Sequence, residues 1–97
     1  MAFTHKTVTE WNVSAQEQRA IPELMEERTE WLKQAVEDGK TDTVIGTALS
    51  DDEDGSAQNA IGERVWNNQT SAQSWKTFVE ELATKHNKQV TVTISEL

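Results

Sequence analysis

Between Gly62 and Leu82 the hydrophobic rhythm of the chain changes from strand-like alternation to helical spacing, and no other feature narrows the fold as much. "AIGERVW", residues 60–66, alternates its β-branched and aromatic positions with small or charged ones. After the polar run "NNQT", Ala72, Trp75, Phe78, Val79, Leu82, Ala83 and His86 recur at three- and four-residue steps. A period of two sends successive side chains to opposite faces of a strand, whereas this second spacing lines one face of a helix. The chain therefore turns a strand into a helix across a few polar residues. Thr70 and Gln73 offer a capping box at the turn, in which two side chains each satisfy an orphan backbone N–H.

The same two periods account for the rest of the chain. "KTVTEWNV", residues 6–13, reads as a strand that stops at Ser14, and "SAQE", Ser14 to Glu17, as a capping box where a helix begins. Pro22 would break one straight helix through this region, so the sequence predicts a short turn at 15–20 and the main helix over about 22–38. Ile21, Leu24, Met25, Arg28, Leu32, Ala35 and Val36 form its inward stripe, with Trp31 at the border, and Gly39 supplies a left-handed stop. "TDTVIGTAL", residues 41–49, reads as a second strand, and the polar run 50–59 as a hairpin loop. After the second helix, Asn87 and Lys88 end the helical pattern. "QVTVTIS" then alternates strictly, with Val90, Val92 and Ile94 on one face. The order strand, helix, strand, strand, helix, strand with right-handed crossovers predicts an α+β fold. It is the split β-α-β arrangement, an antiparallel sheet carrying two helices on one face, in a single domain over 1–97.

The two central strands of that arrangement carry apolar residues on both faces. Val8 opposes Trp11 and Val13, and Ile61 and Val65 oppose Trp66. An open sheet face with an apolar centre calls for a cover, because large exposed apolar patches mark interfaces. Val8, Trp11, Val13, Arg64 and Trp66 are therefore the candidate interface of a homodimer packed sheet to sheet. The competing reading buries both tryptophans under the helices through a bulge.

Charge separates the chain into two parts. The formal net charge is -8, and 14 of the acids lie from Glu10 to Glu63 against only Arg19, Arg28, Lys33 and Lys40. Such a surface repels phosphate backbones, which argues against direct nucleic-acid binding. Glu23, Glu26, Glu27 and Glu30 on the first helix, with Asp51, Asp52, Glu53 and Asp54 in the hairpin loop, form the candidate acidic surface for a partner. No stretch has the length of a membrane span, and the start lacks a secretory apolar run, so the expected location is the cytoplasm.

Candidate chemistry is sparse. The chain has no cysteine, which excludes disulfides, thiolate metal sites and a cysteine nucleophile. "SDDEDGS" resembles a calcium loop, but aligning Gly55 with the turn glycine puts Ile61 where a bidentate Glu is required. His5 and His86 are too few to build a metal site. Gly46, Gly55 and Gly62 have no phosphate-cradling spacing, and no nucleophile motif occurs. No cofactor, metal or catalytic residue is expected. If the chain were an enzyme, Arg64, Trp66, Trp75 and His86 would be the residues around a cavity between sheet and helices, although Arg64 is better read as an ion-pair partner of Glu10 or Glu63.

"RVWNNQTSAQSWKTFVEEL" resembles a pattern found in small proteins of tailed bacteriophages, cyanobacterial ones included: Arg-x-Trp, a short polar turn, then Ala, either Trp or Phe three residues on, and Phe three residues after that. It is also similar to the second half of dimeric ferredoxin-like α+β barrel proteins. The resemblance covers about Gly62 to Leu82 and the order of elements. It implies a dimer and, for the phage group, an accessory protein of infection. With four tryptophans in 97 residues, a residue favoured as an interface anchor, the expected function is non-enzymatic protein binding or regulation directed at a host protein. A small-molecule binder or enzyme with its site inside the barrel, or a virion component, are the rival readings.

Overall fold

The computed structural model describes residues 3–12, 17, 20–42, 47–49 and 61–97. Its elements are β1 (His5–Trp11), α1 (Pro22–Glu37), β2 (Thr47–Leu49), β3 (Ile61–Trp66), α2 (Gln69–Lys85) and β4 (Val90–Glu96). The strands form one antiparallel sheet in the order β2-β3-β1-β4, and both helices pack on one face of it. The fold is α+β. Val13, the proposed cap at Ser14 and the acids Asp51, Asp52, Glu53 and Asp54 lie outside the described residues, as does most of the proposed strand between Thr41 and Thr47.

Which face of β1 turns inward is decided by polar groups. Thr7 pairs with Arg64 and Ile94, and Thr9 with Gly62 and Val92, so these residues share the helix-covered face with Trp11 and Trp66. Thr7 is 0% exposed and accepts a hydrogen bond from the indole Nε1 of Trp66 at 2.9 Å. Thr9 does the same for Trp75 at 3.0 Å. A buried indole N–H without a partner is costly, and the two threonines answer one each. Val8 consequently faces the other way, half-buried among Glu63 and Thr93 on the open face.

This arrangement separates the four described residues of the candidate interface. Trp11, Arg64 and Trp66 are 3%, 7% and 0% exposed beneath the helices, while Val8 stands on the opposite face. All four tryptophans lie on the covered side, packed with Leu24, Leu32, Val79 and Leu82. The open face retains Val8, Ile61 and Val65, each half-buried, beside Lys6, Glu10 and Glu63. Glu63 pairs with Lys6 there at 3.9 Å. Arg64 lies on the helix-covered face, opposite the face that carries Glu10 and Glu63, the partners expected for it.

The helix boundaries follow local chemistry. α1 opens with Pro22 at its first turn, where a missing N–H costs nothing. It closes on Gly39, whose φ of 72° suits a residue without Cβ. Lys40 N–H bonds to Ala35 O and Gly39 N–H to Val36 O, a Schellman closure. α2 closes in the same way at Asn87, φ 57°, through Lys88 N–H to Ala83 O and Asn87 N–H to Thr84 O. Its start differs from the expected Thr70–Gln73 box. The cap is Asn68, extended at φ -163°, ψ 173°, and its side chain accepts from Ser71 N–H at 2.8 Å. Asn67 N–H bonds to Lys40 O, and the first helical turn begins at Gln69. His86 ends α2 as its C-cap residue.

Candidate functional site

α1 and α2 lie side by side on the sheet, and the outer seam between them is where aromatic rings reach solvent. Leu24, Leu32 and Ala35 are the fully buried residues of α1, and Trp31 sits half-buried at the margin of that stripe. On α2, Ala72, Trp75, Val79, Leu82 and Ala83 are buried, and Phe78 is the half-buried residue at the corresponding margin. The two marginal rings stack, with centroids 5.0 Å apart and planes 13° from parallel. Trp31 also touches Trp66 edge-on at 6.0 Å and Trp75 at 5.6 Å. The half-buried pair is thus the outer end of an aromatic stack rooted in the core, and its position is held by packing rather than by a flexible stem.

A groove opens on each side of the stacked pair. The first, of about 580 Å³, has Trp31, Phe78 and Leu82 as its apolar lining and Glu26, Glu27, Glu30, Glu81 and Lys85 around them. The second, of about 600 Å³, is walled chiefly by uncharged polar side chains of α2, among them Gln69, Gln73, Ser74 and Thr77.

The carboxylates of the first groove differ in how they are held. Glu27 accepts a hydrogen bond from Lys85 Nζ and lies 3.5 Å from His86 Nε2. The Lys85 hydrogen bond, aided by His86, holds the Glu27 carboxyl below the usual carboxylate range against a smaller opposing effect of desolvation. The same hydrogen bond and charge raise the Lys85 ammonium. Glu30 pairs with Lys33 at 3.5 Å. Glu26 and Glu81 have no ion-pair partner among the described residues. The groove therefore offers two uncompensated negative charges beside an aromatic platform.

Of the expected acidic surface, Glu23, Glu26, Glu27 and Glu30 are all on α1, and the last three line this groove. The four candidate enzyme residues do not converge. Arg64, Trp66 and Trp75 meet in the core, with the guanidinium carbon 5.9 Å from the Trp75 ring centroid. His86 lies eleven positions further along α2 than Trp75, about 16 Å at helical rise. Burial lowers the Arg64 pKa, the charge of Asp42 opposes that shift, and Arg28 adds to it. Among the described residues no group of three histidines, aspartates or glutamates is placed to hold a metal ion. The arrangement suits recognition of a cation by carboxylate and ring face, since an aromatic face attracts positive charge.

Trp31 and Phe78 were the functional candidates that sequence reasoning missed. Their signal was faint: each stands at the edge of a helical stripe, and only the packing of the two helices brings those edges together. No family model matches the chain, and neither a curated protein nor a solved structure matches it. No helix among the described residues is long and apolar enough to cross a membrane.

Proposed function

We propose that this chain is a non-enzymatic protein-binding module that takes a positively charged, partly apolar segment of another protein into the groove between α1 and α2. The observation that carries the reading is the half-exposed Trp31–Phe78 stack flanked by Glu26 and Glu81. The aromatic pair supplies affinity, as buried rings do at interface centres. The carboxylates supply selection for basic partners and faster encounter. A lysine or arginine over an exposed ring contributes about 0.5–1 kcal/mol, and an exposed charge pair no more than about 1 kcal/mol. Micromolar affinity, about 8 kcal/mol, therefore needs apolar contact along the groove as well as charge. A phage-encoded accessory protein acting in the host cytoplasm would engage a host protein through such a surface.

The strand order β2-β3-β1-β4 supports a ferredoxin-like split β-α-β arrangement, in which the helical layer is a continuous surface and the sheet its support. The filled interior around Trp66 and Trp75 favours binding at the outer helical surface over a small-molecule site between sheet and helices.

The test is calorimetric titration with a synthetic peptide of alternating lysine and leucine, and with its glutamate counterpart. Saturable binding of the basic peptide alone is expected, weakening as salt rises from roughly 0.05 to 0.5 M. Trp31→Leu and the pair Glu26→Gln with Glu81→Gln should each weaken it several-fold. Equal binding by these variants, or equal binding of the acidic peptide, would overturn the proposal.

A further inference from the structure

The free edge of β4 is built for pairing. β4 is the outermost strand and bonds to β1 alone among the described strands. Leu97 N–H bonds to Thr4 O at 2.9 Å and Asn12 N–H to Gln89 O at 2.8 Å. The odd-numbered residues of this stretch therefore aim their main-chain groups at β1, and Val90, Val92 and Ile94 aim theirs outward. Exposed edges are ordinarily blunted by charges, proline, bulges or shortness. β4 is not: it runs seven residues, and from Val90 to Ser95 contains no charge, glycine or proline. Val90 and Ile94 are half-buried there and packed against the core, so apolar surface as well as hydrogen-bonding groups ends at this margin.

We infer that β4 pairs antiparallel with β4 of a second copy of this chain. The choice of a second copy rests on self-complementarity. With Val92 opposite its own counterpart, Val90 faces Ile94 of the second copy and Thr91 faces its Thr93. The same register sets Lys88, just before the strand, opposite Glu96 at its end. Antiparallel pairing of identical strands matches that basic end to the acidic end twice over. Each of the pairs Val90 with Ile94, Val92 with Val92 and Ile94 with Val90 exchanges two main-chain hydrogen bonds. The β-branched side chains of the two strands meet at cross-strand distance, where such pairs are stabilising. The product is one sheet running through both copies with every helix on the same side, which leaves the groove between α1 and α2 open in each. This dimer is edge to edge, and it does not use the open face that carries Val8, Ile61 and Val65.

Sedimentation velocity of the full chain at micromolar concentration tests it. Twice the 10.9 kDa chain mass is expected. Glu96→Lys, a change at an exposed position, sets like charges opposite each other at both ends and should raise the dissociation constant roughly tenfold. Combining it with Lys88→Glu should restore the original association. Ile94→Pro removes an outward N–H and should give a monomer with the far-ultraviolet spectrum of the parent. A monomer at every concentration would refute the inference. So would a dimer indifferent to Glu96→Lys, or one broken by Val8→Glu on the open face instead.

Discussion

Replacing Thr7 by valine tests why the inner face of β1 is lined with threonine. The two side chains have nearly the same shape, so the substitution leaves packing intact and removes one hydroxyl. That hydroxyl is the acceptor, at 2.9 Å, for the Nε1–H of Trp66, and both residues are 0% exposed. Water cannot replace it, so the indole N–H is left buried and unpaired, at a cost of about 1–3 kcal/mol. In a domain of this size each kcal/mol lowers the thermal midpoint by about 4–8 °C, which gives a fall of roughly 5–20 °C. The assay is chemical denaturation followed by tryptophan fluorescence and by far-ultraviolet circular dichroism, so that loss of the aromatic cluster and loss of helices are read separately. The decisive comparison is a double-mutant cycle with Trp66→Phe. Phenylalanine has no N–H to satisfy, so Thr7→Val should cost much less in that background, with a coupling of about 1 kcal/mol or more. Thr9→Val against Trp75 is an internal repeat through a 3.0 Å bond. A Thr7→Val protein as stable as its parent, or one equally destabilised with and without the indole, would refute the account of the threonines as indole acceptors.

The helix boundaries and the Glu27 cluster give further expectations. Asn68→Ala should cost about 1 kcal/mol by removing the acceptor for Ser71 N–H. Gly39→Ala, at φ 72°, should cost a similar amount by forcing Cβ into the left-handed region; both are measured by urea titration. Glu27 has its carboxyl pKa depressed in the folded chain, chiefly by Lys85. The stability it contributes is therefore present above the unfolded value of 4.5 and lost as pH falls through the lower folded value. Lys85 has the opposite sign: its contribution is complete below 10.5 and disappears as pH rises through the higher folded value. Glu27→Gln should flatten both limbs of a plot of thermal midpoint against pH, and added salt should shrink the difference because the pair is partly exposed.

Much of the architecture was legible because two periodicities leave little freedom. The alternation of Val90, Val92 and Ile94 and the helical recurrence from Ala72 to Ala83 each specify an element regardless of what packs on it, and the observed β4 and α2 follow them. Pro22 and Gly39 likewise marked the two ends of α1, since each restricts backbone torsions locally. The start of α2 was less legible. Thr70 and Asn68 are both competent caps by residue type, and Asn68 is the one whose side chain accepts from Ser71 N–H.

The candidate site belongs almost wholly to tertiary structure. The acidity of α1 could be read from its residues, but the stacking of Trp31 on Phe78 joins positions on two helices with no local pattern relating them. The orientation of β1 was also undecided by pattern, because Val8 on one face and Trp11 on the other are both apolar. What settled it was the need of two buried indoles for acceptors, which Thr7 and Thr9 meet only from the inside. Periodicity is a property of neighbours in sequence and so determines elements; the pairing of one buried donor with one acceptor is a property of neighbours in space, and only the assembled fold supplies them.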